Sequence, residues 1–237
     1  MKRLALALLL LTATAPAQEV EKVTVYGGSL TGFWHVNGPS WVSMNLFGKA
    51  TWGPPIDRIC RIGHDREGYD TYCYYQKGNG GTLEVDGSHL HLAWGSMLAR
   101  MVYDGEVTSA TAFRGHFAIK PMGIAIIDPG ISEGRKIGLD TAAPDGAGKV
   151  DLLRAVLNGE AVPHDPKLDE TMAVARVDRP GALQQIIYLG QQNKGAGPNI
   201  AAVPDYFAAY AVEFADGERL CWLHQNDDGK LAAFQCS

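Results

Sequence analysis

From Val23 to about Ile127 the chain breaks into short segments in which apolar and polar residues alternate: LTGFWHV, IDRICRI, DTYCYYQ, TLEV, HLHLAW, ARMVY, AFRGHFAI and GIAII. A period of two is that of a strand with one face toward a core. Turn signals separate the segments, at Asn79-Gly80-Gly81, Asp86-Gly87 and Asp104-Gly105, glycine and the short polar residues being those that tight turns accept. Many closely spaced strands joined by tight turns predict an antiparallel barrel or sandwich.

The pattern lapses from Asp128 to Lys149, a stretch with five glycines and two prolines. A structureless run of that length is uncommon inside one compact domain, so it reads as a linker or extended crossover with a boundary near residue 140. Beyond it, VDLLRAVLN predicts a helix with Val150, Leu153 and Leu157 on one face and Gly159 at the C′ stop;. Asp165 and Pro166 form a cap and first-turn pair for a second helix to about Val177, before Arg179-Pro180-Gly181 breaks it;. LQQIIYL, YAVEFA, RLCWLHQ and KLAAFQC then read as antiparallel strands. The expected fold is mainly β: an antiparallel barrel over residues 18–140, followed by a small two-helix, antiparallel-sheet domain over 141–237.

The first seventeen residues, MKRLALALLLLTATAPA, have a basic start at Lys2 and Arg3, an apolar run from Leu4 to Leu11 and a small-x-small exit at Ala15 and Ala17. This is the layout of a secretory signal cleaved before Gln18. The run is far short of the roughly twenty residues that span a bilayer, and no later segment approaches that length. The expectation is a periplasmic or secreted protein with no membrane span after cleavage. Without Lys2 and Arg3 the chain carries 19 basic and 26 acidic residues, a net charge of −7. That balance argues against nucleic acid and anionic membrane surfaces as partners, since both reward clustered Lys and Arg.

Four cysteines in an exported chain suggest disulfides;. RLCWLHQ and KLAAFQC flank Asp228-Gly229, the dipeptide suited to a two-residue type I′ turn;. With that turn, facing residues have numbers summing to 457 and Cys221 meets Cys236, at the spacing of about 5.5 Å of a hydrogen-bonded pair. A four-residue loop at Asp65–Gly68 likewise sets facing sums of 133 and places Cys60 opposite Cys73. Each bridge is worth about 3 kcal/mol, mainly through the unfolded chain.

The segment Leu30-Thr31-Gly32-Phe33-Trp34, opening a run of antiparallel strands, resembles the G-x-W start of lipocalins and related calycin barrels. The resemblance implies a barrel whose end is closed by Trp34 as packing, out of contact with ligand. The tail YAVEFADGERLCWLHQNDDGKLAAFQC, with turn positions at Asp216, Gly217, Asp228, Gly229 and Lys230, is similar to the terminal strands of cystatin-like and NTF2-like α+β units. Those are turn residues, so this likeness implies a fold and no chemistry.

Catalytic constellations are missing from the sequence. Gly27-Gly28-Ser29-Leu30-Thr31 lacks the last glycine of a nucleophile elbow. APDGAGK at 143–149 lacks the first glycine of a phosphate-binding loop, and Val150 stands where a magnesium-holding hydroxyl belongs;. His89 and His91, with His116 on a later strand and His64 nearby, share the spacing by which imidazole pairs chelate zinc or copper;. The competing reading is that Leu90 and Leu92 face the core and the histidines face water, and no carboxylate completes a site. The expectation is therefore no metal and no cofactor.

Trp34, Trp41, Phe47 and Trp52 are interleaved with glycine and proline, and Tyr69, Tyr72, Tyr74 and Tyr75 follow. A Gly- and Pro-rich aromatic segment suits the mouth of a barrel, where small-molecule sites lie. The expected function is a non-catalytic, exported binding protein for a small apolar or amphipathic ligand, with Trp41, Phe47, Trp52, Tyr72 and Tyr74 contributing. The alternative is an envelope scaffold that docks on a protein partner and holds no ligand. A hollow barrel favours the first and a filled one the second.

Overall fold

The computed structural model describes residues 30–44, 50–64, 69–72, 81–96, 99–120, 127–139, 149–193 and 206–237. Eight strands form a closed antiparallel barrel in chain order: β1 (Gly32–Met44), β2 (Ala50–His64), β3 (Tyr69–Tyr72), β4 (Gly81–Asp86), β5 (His89–Ser96), β6 (Ala99–Ser109), β7 (Ala112–Lys120) and β8 (Ile127–Lys136). Pairing of β1 with β8, from Trp34↔Lys136 to Asn37↔Glu133, closes it. Helix α1 (Lys149–Asn158), a 3-10 turn (Pro166–Leu168) and helix α2 (Asp169–Val177) follow. A second sheet then runs as a meander in the order β12-β11-β10-β9, built from β9 (Leu183–Asn193), β10 (Tyr206–Phe214), β11 (Gly217–Gln225) and β12 (Leu231–Cys236). The architecture is the expected one, a barrel followed by a small α+β part.

Two local expectations are corrected. Asp104-Gly105 is no turn: it lies inside β6, and the chain reverses at Ala110 and Thr111. A Cβ on Gly105 would come within 2.7 Å of the Tyr103 ring, and one on Gly115 within 2.3 Å of the Asp104 carbonyl. These glycines give room for close approach across the wall, a role that a turn dipeptide hides. The stretch 128–136, read above as linker, is β8 itself. Its composition has the same cause, because a Cβ on Gly134 would stand 2.0 Å from the ring of Phe113, its cross-strand partner. The expected boundary near residue 140 and the leader at 1–17 lie outside the described residues.

The C-terminal hairpin keeps the expected sum of 457 from Cys221↔Cys236 to His224↔Ala233, by a different route. Asn226 and Lys230 close a three-residue loop, with Gly229 at φ +82° and its amide on the Asn226 carbonyl. That loop alone sets a sum of 456, as at Gln225↔Leu231, and an extra residue in β12 restores 457. The bulge explains why Leu231 and Phe234, three apart, pack into one cluster;. Cys221 and Cys236 form the disulfide at a Cα separation of 4.1 Å. This is the close spacing of a non-hydrogen-bonded pair, since the neighbouring Ser237 amide donates to Leu220;. The β2–β3 ladder keeps the sum of 133, and Cys60 is disulfide-bonded. Cys73 lies outside the described residues.

The second sheet is buried on both faces. Ala208, Tyr210, Val212 and Phe214 of β10 pack with Leu153, Val156, Leu157 and Met172 of the helices. Phe207, Ala209 and Ala211 point the other way, with Trp222 of β11, onto Phe33 and Ile59 of the barrel's outer wall. Gly159, at φ +84°, ends α1 with the paired C-terminal bonds Gly159 N to Val156 O and Glu160 N to Ala155 O;. The Arg176 and Arg179 side chains donate to the carbonyls of Val156 and Leu157, fastening the second helix to the end of the first;.

Candidate functional site

The barrel interior is the candidate site, and its inner face is set by strand alternation. Trp34 and Val36 of β1, Cys60 and Ile62 of β2, Leu90 and Leu92 of β5 and Phe113 and Phe117 of β7 belong to one apolar cluster. Leu90 and Leu92 therefore face inward, while His89 is exposed and His91 half-buried on the outer side. Outside, His91 stands between Glu84 and Asp104, and Asp104 faces His116 across the next ladder. His91 Nδ1 lies 2.5 Å from Asp104 Oδ1. Among the described residues no group of three or more His, Cys, Asp or Glu is placed to hold a metal ion.

Where β1 begins, the interior is filled by rings. Trp34 is fully buried, and its indole N–H donates to the Leu30 carbonyl at 2.7 Å. Its ring centroid lies 5.0 Å from that of Phe113, which meets Tyr103 edge-on at 5.5 Å. The Lys136 ammonium sits 5.9 Å over the Trp34 ring. Gly32 makes this floor possible: its φ is +124°, and a Cβ there would press on Lys136 Cε at 3.1 Å;. Burial pushes the Tyr103 hydroxyl far above its ordinary pKa, with the Glu133 carboxylate adding to the effect. Burial also lowers the Lys136 ammonium, against an opposing pull from Glu218;.

The up-and-down order brings the β1–β2, β3–β4, β5–β6 and β7–β8 connections to the other end. Trp41 lies on β1 and Trp52 on β2 toward that end, where Val42 faces Trp52. Phe47 and Tyr74 lie outside the described residues, in the β1–β2 and β3–β4 connections. Tyr72 is placed elsewhere: opposite Arg61, it packs against the cluster of Phe33, Ile59 and Trp222 between the barrel wall and the second sheet.

Sequence reasoning missed a polar seam in the wall. Among the described residues the β2–β3 ladder covers only Arg61–His64, and the end of β9 lies along the edge of β2 before it. There Gln192 Oε1 accepts from the Ile59 amide at 2.9 Å, and Asn193 Nδ2 donates to the Pro55 carbonyl at 2.7 Å. Two side chains thus stand in for a neighbouring strand. The Arg58 guanidinium donates to the Asn193 carbonyl. Arg58 and Asn193 are each 7% exposed and Gln192 is fully buried. Arg61 reaches across to Glu218 of β11 at 3.7 Å. The available signal was Arg58 on the same strand face as Cys60 and Ile62, an arginine where alternation calls for an apolar residue.

No helix among the described residues is long and apolar enough to cross a membrane. No protein-family model matches the chain, and no curated protein is similar to it in sequence.

Proposed function

We propose that this chain is an exported, non-catalytic binding protein whose barrel holds a small apolar or amphipathic molecule above the Trp34 floor. The observation that carries this reading is the closed eight-stranded barrel with an apolar cluster on its inner face among the described residues; barrels of this size accommodate one small ligand or fill with side chains. Trp41 and Trp52, on β1 and β2 toward the end opposite that floor, are the residues proposed to contribute to ligand contact there. The barrel part, residues 18–140, carries the site, and the α+β part, residues 141–237, braces its wall. Export to the periplasm or the medium is supported by the leader-like first seventeen residues and by the Cys221–Cys236 disulfide;.

The test is tryptophan emission of the purified protein, titrated with fatty acids, sterols and aromatic compounds, alongside native mass spectrometry for a co-purified molecule. A saturable blue shift or quench with at least one class is expected, and loss of that response in Trp41→Leu or Trp52→Leu. A flat response to every class, with no bound mass, rejects the reading. A second reading, a scaffold that engages a protein partner, is favoured by the ring-filled level of Trp34, Phe113 and Tyr103, which leaves little depth at that end. A flat ligand response joined to capture of a defined envelope protein supports it.

A further inference from the structure

We draw no further inference here: the strongest candidate, the outward-facing apolar strip of α2 at Val174 and Val177, which are 45% and 81% exposed, carries nothing because nothing in the structure shows what covers it.

Discussion

Single residues set the shape of the barrel through glycine placement. Gly134 faces Phe113 with no room for a methyl group, since its Cβ would stand 2.0 Å from the ring. Gly134→Ala must drive the ring off Trp34 and Tyr103, and overpacking of this kind costs about 1–3 kcal/mol. Urea unfolding should show the free energy of unfolding lowered by that amount, with a correspondingly lower midpoint. An unchanged midpoint means that the ring has somewhere else to go. None of this was legible beforehand, because a glycine under an aromatic ring and a glycine in a turn look alike until the partner strand is known. Gly32 is the counter-case: its place two residues before Trp34 marked it from the start, and its φ of +124° gives the reason.

At the scale of elements, the link between the helices and the second sheet carries its own charge state. His164 bridges to Leu231 of β12, with flanking bonds from Asp165 N to Leu231 O and from Leu231 N to Pro163 O. Its Nδ1 meets the Val162 carbonyl and its Nε2 the Asp169 carboxylate, both at 2.6 Å. Both partners are acceptors, so both ring nitrogens must carry protons. The Val162 carbonyl and the Asp169 carboxylate accordingly raise its pKa, with Arg176 opposing and Asp165 and Lys167 beside it in sequence. A raised folded pKa means that the clasp contributes in full below about pH 6.5, the unfolded value, and is lost as pH rises through the folded one. Urea midpoints of the natural chain should fall between about pH 6 and pH 9, and His164→Gln should remove that part of the slope. Identical pH dependence in both proteins refutes the clasp. The stop of the first helix was readable from Gly159, because capping is local chemistry;, whereas Asp165-Pro166 caps only the 3-10 turn and the second helix starts at Asp169 without a side-chain cap. The imidazolium was not readable, because its partners are chosen by how the segment folds back.

Across the whole molecule, the barrel and the second sheet share one interface. The alanines of β10 let it form: Ala209 and Ala211 are fully buried against the barrel side, and a Cβ on Gly190 would lie 3.4 Å from Ile59. Ala209→Leu puts about three extra carbons into that contact and should cost about 1–3 kcal/mol. The same change should split a single unfolding transition into two, followed by Trp34 in the barrel and Trp222 in the sheet. Coincident transitions with no loss of stability would show that the two parts are not held by this face. Polar closure of the β2 edge by Gln192 and Asn193 belongs to the same scale, since no pattern along β9 points to β2.

What the sequence alone determined is what depends on neighbours along the chain. The barrel class, the end of the first helix and the facing of Cys221 and Cys236 follow from alternation, caps and hairpin arithmetic, each a local rule. In the last hairpin two departures, a three-residue loop and a bulge, cancel and leave the disulfide register intact. Only the tertiary structure decided that the glycine-rich stretch after Asp128 closes the barrel, that Tyr72 packs outside it, and that Arg58 meets the Asn193 carbonyl in its wall. Those outcomes depend on which strand comes to lie beside which, and pairing across long separations is chosen by the burial of whole faces.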